Sequence, residues 1–224
     1  MCGRQTHLYS WDELHRLMAL TTPSQPLAKR YNVAPSQNTL VIKRGTEGGR
    51  ELHQLRWGLI PSWAQDSKIG YKLINARAET ISSKPSFRAA FKSRRCLVPA
   101  SGFYEWQKLD GGKKKQPYYI KPKEGEILVF AGIAECWVTP TGDPIESYSI
   151  VTTSSNKTMQ SVHDRMPVIL DPKDFDKWLD PRATSDELLA LLKPCPEEYL
   201  LMHRVSTLVN AAKNNSPECI QSLT

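Results

Sequence analysis

"RRCLVPASGFYEW", residues 94–106, is the stretch that decides the fold class. Its valine and its aromatic residues are typical of β-strands, and turn-forming residues bound the run. Similar runs recur through the middle of the chain, namely TLVIKRG (39–45), ELHQLRWGLIP (51–61), QPYYIKP (116–122), EILVFAGIAECW (126–137), SYSIVTTSS (147–155) and MPVIL (166–170). The sequence therefore predicts a protein that is rich in sheet.

Helical signals are fewer, and they lie outside or between these runs. Helix starts are indicated by capping boxes at Ser10–Glu13 and Thr184–Glu187, and by the pair Asp171–Pro172. Residues 75–93, NARAETISSKPSFRAAFKS, predict a broken helical segment, because Pro85 and the serines before it interrupt the helical pattern.

Strands in irregular order with helices between them favour an α+β fold. We expect residues 1–224 to form a single domain on a strongly curved, mixed, barrel-like sheet with inserted and peripheral helices. KLDGGKKKQP (108–117) predicts a hairpin tip with Gly111 and Gly112 in the turn. The lysines of this tip are typical either of a solvated turn or of a loop that touches phosphates.

Composition narrows the class of protein. Apolar residues make up 40% of the 224 residues and charged residues 24%, and no apolar run approaches the length of about 18 residues that a membrane span needs. With no secretory signal pattern, a cytoplasmic protein is expected. The net charge of +7 suits a polyanionic partner. Five cysteines without a C-x-x-C pair argue against disulfides and against a zinc site, so we expect reduced thiols and no metal.

The N-terminal sequence MCGR (1–4) places a cysteine directly after the initiator methionine. Removal of Met1 would leave Cys2 with a free α-amine, whose ordinary pKa is about 8, beside its own thiol. Such an aminothiol condenses with an aldehyde to an imine, and the thiol then closes a thiazolidine ring. The alternative is that Cys2 is only a small residue that permits methionine removal.

INARAET (74–80) places an amide, a guanidinium and a carboxylate at alternate positions, on Asn75, Arg77 and Glu79. In an extended segment all three would project to one side. Burying such a polar face without a function would be costly.

Two further stretches carry groups that can move protons. ASGFYEW (100–106) puts Glu105 among aromatic residues, which tend to raise a carboxyl pKa, although an outward-facing strand residue is an equal alternative. VHDRMP (162–167) supplies His163 two residues before Arg165, which suits acid chemistry beside a phosphate. A structural role is the alternative for a single histidine.

Aromatic and basic residues interleave in LRWGLIPSWAQ (55–65), which contains Arg56, Trp57 and Trp63. Tryptophan faces stack on nucleobases and arginine holds phosphates, so the stretch is a candidate for nucleic-acid binding. An ordinary core strand is the alternative, above all for Trp57.

Taken together, these motifs resemble the SOS response-associated peptidase (SRAP) family of abasic-site processing proteins. The resemblance runs nearly end to end and rests on motifs in a fixed order: MCGR, YNVAPSQ (31–37), RWGLIPSW, INARAET, SGFYEW, VHDRMP and VNAAKNNSPE (209–218). The sequence departs from bacterial members at Gln5, where an aromatic residue is common, and in the Ser-Gly pair before Phe103.

The resemblance implies that Cys2, after loss of Met1, captures the ring-opened aldehyde of an abasic site in single-stranded DNA as a thiazolidine crosslink. It assigns the catalytic positions to Asn75, Glu105 and His163. In the mechanism that we expect from these residues, His163 donates to the departing ring oxygen. The resemblance also implies self-cleavage of Met1 and β-elimination at abasic sites, and it requires no cofactor.

The resemblance further assigns the DNA contacts, which fall on Arg4, Trp63, Arg77, Thr152 and Arg165. It leaves open whether the DNA is a bare single strand or a junction with duplex. We expect a monomer that associates with the nucleoid when it is bound to DNA.

Two other functions remain compatible with these residues. An N-terminal-nucleophile amidohydrolase or peptidase would use the Cys2 amine as base for its own thiol. A non-catalytic module for single-stranded DNA would use only the tryptophans and arginines.

Overall fold

The computed structural model describes residues 2–125 and 127–223, and within these ranges the strands divide between two sheets. The strands are β1 (Gln5–His7), β2 (Arg30–Val33), β3 (Asn38–Arg44), β4 (Arg50–Trp57), β5 (Asn75–Arg77), β6 (Arg95–Ala100), β7 (Gly102–Leu109), β8 (Lys114–Pro122), β9 (Leu128–Val138), β10 (Pro144–Ser154), β11 (Arg165–Pro167) and β12 (Leu200–Arg204).

Five strands close into a barrel. They pair in the order β10-β4-β3-β6-β9, and β9 pairs again with β10 and so completes the ring. The barrel is mixed, because β4 runs parallel to β10 while the other neighbours in the ring are antiparallel. Two short strands extend it along β10, with β5 parallel and β11 antiparallel. The α+β, barrel-like fold class predicted from the sequence is confirmed.

The second sheet is antiparallel, in the order β12-β8-β7-β1-β2. Residues 94–106 contribute β6 to the barrel and β7 to this second sheet, with Ser101 at the corner between them. The hydroxyl of Ser101 accepts a hydrogen bond from the Leu8 amide at 2.9 Å, and its own amide donates to the Thr6 carbonyl at 2.8 Å. The expectation of one sheet is corrected to two, because one continuous strand-like run turns a corner.

The helices are short and peripheral: α1 (Trp11–Met18), α2 (Arg88–Ser93), α3 (Lys157–Gln160), α4 (Phe175–Leu179) and α5 (Ser185–Leu189), with 3-10 helices at Ser67–Lys72, Ala78–Thr80, Asp110–Gly112, Pro172–Asp174, Glu197–Tyr199, Thr207–Asn210 and Pro217–Ile220. Both predicted capping boxes are confirmed, at the starts of α1 and α5. The 3-10 turn that leads into α4 begins at Pro172, after the N-cap Asp171, as the sequence predicts.

The predicted hairpin tip joins β7 to β8. Gly111 and Gly112 have φ values of 65° and 93°, which glycine adopts without strain, and the three lysines that follow are exposed. The predicted broken segment at 75–93 differs in its first part. It opens with strand β5, passes through a 3-10 turn and becomes helical at Arg88.

Two large hydrophobic clusters fill the molecule. One lies under the helices and includes Trp178 and Phe91, whereas the other lies in the barrel and includes Cys2, Trp57 and Tyr148. A residue at the extreme N-terminal end of the described chain is therefore part of the barrel core. Among the described helices, none has the length and apolar character that a membrane crossing requires.

Candidate active site

Cys2 lies just before β1 and is fully buried in the barrel cluster. Antiparallel pairing of β1 with both β2 and β7 holds this end of the chain in place. Burial raises the pKa of the Cys2 thiol, and the Glu105 carboxylate raises it further. The thiol is therefore protonated at neutral pH.

Asn75 contacts Cys2 directly. Strand β5 lies parallel to β10 and brings Asn75 opposite Ile150. The Nδ2 atom of Asn75 donates to the Cys2 carbonyl oxygen at 2.9 Å, and its Oδ1 atom is buried with no hydrogen-bond partner among the described residues. Buried amide oxygens are normally paired, so Oδ1 is an acceptor available to a ligand.

Glu105 belongs to β7 and pairs in register with Tyr118 of β8. Its side chain is almost fully buried, so the outward-facing alternative is wrong. Burial raises the pKa of Glu105 to about 7. A carboxyl group with this pKa exchanges its proton near neutral pH, which suits a general acid or base.

His163 follows α3 and precedes β11. Its Nδ1 atom lies 2.9 Å from the Arg165 amide, which donates to it, and 2.8 Å from a carboxylate oxygen of Asp164. Burial lowers the pKa of His163, which favours the neutral ring at neutral pH. The hydrogen bond from the Arg165 amide requires the tautomer with its proton on Nε2, whereas donation to the largely exposed Asp164 requires a proton on Nδ1, so the two contacts exclude each other. His163 is thus a hydrogen-bond donor rather than a strong acid.

A hydrogen bond between their flanking residues brings the segments of Glu105 and His163 together. Gln107 donates from Nε2 to the Ser161 carbonyl at 2.8 Å. The charge of Asp164 acts on Glu105 and raises its pKa, which also indicates that these segments are close. The fold therefore gathers Cys2, Asn75, Glu105 and the His163 segment from four separate parts of the chain.

Arg165 lies beside this group and is itself mostly buried. Its two terminal nitrogens bind the Glu79 carboxylate at 2.5 and 2.9 Å, and Nη2 also donates to the Thr152 carbonyl at 2.7 Å. The Thr152 hydroxyl is buried, 3.5 Å from both Arg165 Nη2 and the Ala76 carbonyl. A contact of either residue with a phosphate stays a prediction, and it would require the pair with Glu79 to open.

The predicted common face of Asn75, Arg77 and Glu79 is wrong. The strand ends at Arg77, and Glu79 lies in the following 3-10 helix, from where it reaches Arg165. Asn75 is buried and Arg77 is exposed, so the two polar groups do not share an environment. A strand of three residues was too short for the alternation rule to apply.

The other two predicted DNA contacts occupy different settings. Arg4 donates from Nη1 to the Asn32 side chain and to the Val209 carbonyl, both at 2.7 Å, and its guanidinium lies 5.9 Å from the centre of the Trp106 ring. It therefore ties the N-terminal strand to the C-terminal segment. Trp63 is 57% exposed on the loop that follows β4.

Sequence reasoning missed a polar network in the barrel near Cys2. The buried hydroxyl of Tyr148 lies 2.7 Å from the Thr39 hydroxyl and accepts from Gln5 Nε2 at 3.3 Å. The Tyr148 ring also stacks on Trp57, with ring centres 6.3 Å apart. Alternation along SYSIVTTSS, which places residues 148, 150 and 152 on one face, was the signal that could have revealed it.

Within residues 2–125 and 127–223, no three or more His, Cys, Asp or Glu side chains are arranged so that they could hold a metal ion. The chemistry available from the residues gathered here is that of an amide, a carboxyl group, a neutral imidazole and a thiol.

The chain is similar to a protein family, to several curated proteins and to solved structures. A family model described as SOS response associated peptidase (SRAP) matches residues 1–212. The chain is 48% identical to the Bacillus subtilis (strain 168) protein named abasic site processing protein YoqW, over 99% of this chain and 100% of that one. It is 39% identical to abasic site processing protein HMCES of Xenopus tropicalis, over 86% of this chain and 66% of that relative. A solved structure of a Bacteroides thetaiotaomicron protein superposes with a TM-score of 0.89 at 28% identity, covering 100% of both chains.

Proposed function

We infer the function from the premise that this chain belongs to the SOS response-associated peptidase family. Relatives with the name abasic site processing protein match most of the chain, which supports a role in processing abasic sites in DNA. We propose that Cys2, once Met1 is removed, captures the aldehyde of an abasic site in single-stranded DNA as a thiazolidine. The observation that carries the proposal is the burial of Cys2 against Asn75 and Glu105.

Capture begins with opening of the abasic sugar. The Glu105 carboxylate takes the proton of the anomeric hydroxyl, and the same proton then passes to the departing ring oxygen. His163 holds that oxygen with a hydrogen bond from Nε2, because a neutral imidazole donates a hydrogen bond more readily than it gives up a proton. The products are the aldehyde and a sugar hydroxyl.

Ring closure uses both groups of Cys2. The neutral amine adds to the aldehyde carbon, water leaves, and an imine forms. The Sγ atom then adds to the imine carbon, and the thiol proton passes to nitrogen. Because both nucleophiles belong to one residue, the second bond needs no separate encounter. The free Oδ1 of Asn75 orients the amine.

The proposal assigns DNA binding to residues other than Cys2, Asn75, Glu105 and His163. We propose that the exposed Arg77 binds a backbone phosphate, that Arg4 and Arg165 with Thr152 contribute after rearrangement, and that Trp63 stacks at a strand or at a junction with duplex. The net charge of +7 supports binding to a polyanion, and the affinity should fall with salt. Monomeric action in the cytoplasm, self-cleavage of Met1 and β-elimination at abasic sites belong to the same proposal.

Intact mass spectrometry tests the capture step. Protein lacking Met1 should gain the mass of an abasic single-stranded oligonucleotide minus one water, and the adduct should survive denaturation. Cys2→Ser keeps the amine but should stop at an imine that borohydride traps, since a hydroxyl closes the ring poorly. Oligonucleotide without the lesion is the matched control.

The same experiment separates the alternative functions. An amidohydrolase would leave abasic DNA unmodified in every sample. A binding module without chemistry would give no adduct, and Cys2→Ala would bind DNA as the wild type does. The absence of an adduct from protein that lacks Met1 would contradict the capture proposal, and DNA binding by that protein would then favour the binding module over the amidohydrolase.

A further inference from the structure

Residues 58–73 form a loop that is fixed to the barrel. Its ends are joined by a hydrogen bond from the Leu59 amide to the Leu73 carbonyl at 3.2 Å. Gly58 and Gly70 touch, since a Cβ on Gly58 would lie 2.6 Å from the Gly70 oxygen. Trp137 holds the loop from outside by donating to the Ala64 carbonyl at 2.6 Å. Side chains on this loop are therefore presented from a rigid base.

The loop displays two large aromatic side chains to solvent. Trp63 is 57% exposed and Tyr71 is 59% exposed, whereas all the other Trp and Tyr residues in the described part of the chain are buried or half-buried. Exposing aromatic area on a rigid loop forgoes the free energy of burial, and such exposure is typical of binding surfaces. Trp63 already has a role in the proposed function, but Tyr71 has none.

The Tyr71 ring packs against the positively charged side chain of Arg56. The guanidinium of Arg56, at the end of β4, lies 5.7 Å from the centre of the Tyr71 ring. Its Nε atom is buried and makes no hydrogen bond to any described residue. An arginine packed on one face of an aromatic ring restricts the orientation of that ring and leaves the opposite face available for stacking.

The charge around Tyr71 favours one class of partner. Between residues 56 and 77 the chain carries the cations Arg56, Lys68, Lys72 and Arg77 and the single acid Asp66, which lies 3.6 Å from Lys68. Cations interleaved with exposed aromatic rings match a partner that has both phosphates and unpaired bases. Single-stranded nucleic acid has both, whereas duplex DNA hides its base faces.

We propose that Tyr71, supported by Arg56, is a second stacking platform that holds a base flanking the lesion. Tyr71 precedes Asn75 by four residues, so their Cα atoms lie within about 14 Å of each other. Arg77 follows Asn75 by two residues. The platform, the candidate catalytic amide and the proposed phosphate contact therefore follow one another along this stretch of the chain. The inference rests on the proposed function, because it takes single-stranded DNA as the substrate.

Fluorescence anisotropy with an undamaged, labelled single-stranded oligonucleotide tests the platform without capture. Tyr71→Ala should bind about 5- to 150-fold more weakly, the range expected for loss of one stacked base. Tyr71→Phe keeps the ring and should bind within about twofold of the wild type. Leu201→Ala is the matched control, since Leu201 is 46% exposed on β12 of the other sheet.

Two outcomes would overturn the platform. Tyr71→Ala could bind as tightly as the wild type, or Tyr71→Phe could lose as much affinity as Tyr71→Ala, which would assign the effect to the hydroxyl. Capture is measured separately, as the adduct mass that the wild type reaches at saturating abasic oligonucleotide. A wild type that binds single strands but forms no adduct would refute the capture chemistry and leave the platform standing.

Discussion

At the scale of single residues, Cys2 and Glu105 are two buried acidic groups, and a negative charge on one disfavours a negative charge on the other. Burial raises the pKa of both groups, and the Glu105 carboxylate raises the pKa of the thiol further. Glu105 therefore ionises first as the pH rises, at about pH 7, while the thiol keeps its proton. This order suits a site in which the amine attacks first and the neutral thiol adds afterwards.

The rate of capture should therefore depend on pH through Glu105. If the ionised carboxylate is the base for sugar opening, the rate of adduct formation rises with pH through about 7, where Glu105 ionises. The amine of Cys2 should add a second rise near its ordinary pKa of about 8. Single-turnover rates between pH 5.5 and 9 would resolve the two steps.

Glu105→Gln is the matched variant for this profile. It should lower the rate by about 100- to 10,000-fold and remove the rise near pH 7, while the rise from the amine remains. Binding to undamaged DNA should be unchanged. Equal rates for variant and wild type would take Glu105 out of the reaction.

His7 should make the folded protein sensitive to acid. His7 is buried, and its pKa is lowered from 6.5 to about 3. Burial is the main cause, and the positive charge of Arg30 adds to it. Below pH 6.5 the unfolded chain binds a proton that the folded state rejects, so stability falls by about 1.4 kcal/mol per pH unit down to about pH 3.

Urea unfolding at pH 7 and pH 5 checks this expectation. His7→Gln removes the titrating group, so its free energy of unfolding should fall by about 2 kcal/mol less than that of the wild type between the two pH values. Parallel losses in the two proteins would show that His7 is protonated in the folded state.

At the scale of elements, the sequence predicts helix starts from local motifs, but it does not predict which β-strands pair with each other. The capping boxes at Ser10 and Thr184 depend on side chains three residues apart, and both were predicted correctly. Strand β1 has only three residues, all buried, and owes its conformation to its pairing with β2 and β7. No pattern in three residues could have predicted it.

Strand β10 illustrates the same limit on a larger element. The run SYSIVTTSS predicted a strand, and one begins at Pro144 and ends at Ser154. Its four partners are β4, β5, β9 and β11, and its pairing with both β4 and β9 closes the sheet into a barrel. Such pairings join residues far apart in the chain and follow from packing rather than from local composition.

Gly102 should be essential to the corner between the two sheets. A Cβ at this position would lie 2.5 Å from the ring and hydroxyl atoms of Tyr119 and 2.6 Å from the Ile120 carbonyl oxygen. The carbonyl belongs to the paired strand β8 and cannot move without breaking the register. Gly102→Ala should therefore lower the free energy of unfolding by about 1–3 kcal/mol.

Chemical denaturation measures this loss as a shift of the midpoint at unchanged slope. Lys113→Ala, at the exposed hairpin tip of the same sheet, is the control and should change stability by less than about 0.5 kcal/mol. If Gly102→Ala were as stable as this control, the strands would have room to separate at the corner.

At the scale of the whole molecule, the candidate site exists only where the two sheets meet. Glu105 comes from the antiparallel sheet, Cys2 from the segment just before that sheet's first strand, and Asn75 from a strand attached to the barrel. The sequence could nominate these residues by type and by resemblance. Their assembly, and the neutral state of His163, required the fold.

The single-domain organisation of the chain stays a prediction, and it has a measurable consequence. Since β6 and β7 are separated only by Ser101, unfolding of the barrel should also disrupt the second sheet. We expect one cooperative transition in denaturant, with coincident curves from circular dichroism and from tryptophan fluorescence.

Site-resolved thiol labelling sharpens this test, because the cysteines report on different parts of the fold. Cys96 is buried in barrel strand β6, Cys219 is buried in the 3-10 helix Pro217–Ile220, and Cys136 is exposed. Cys136 should react at once in native protein and so serves as the internal control. The 3-10 helix of Cys219 contacts β2 of the second sheet, so Cys96 and Cys219 should become reactive at the same denaturant concentration if the barrel and the second sheet unfold together. If Cys219 reacted well before Cys96, with its own earlier transition, the two sheets would be separate folding units and the single-domain prediction would be wrong.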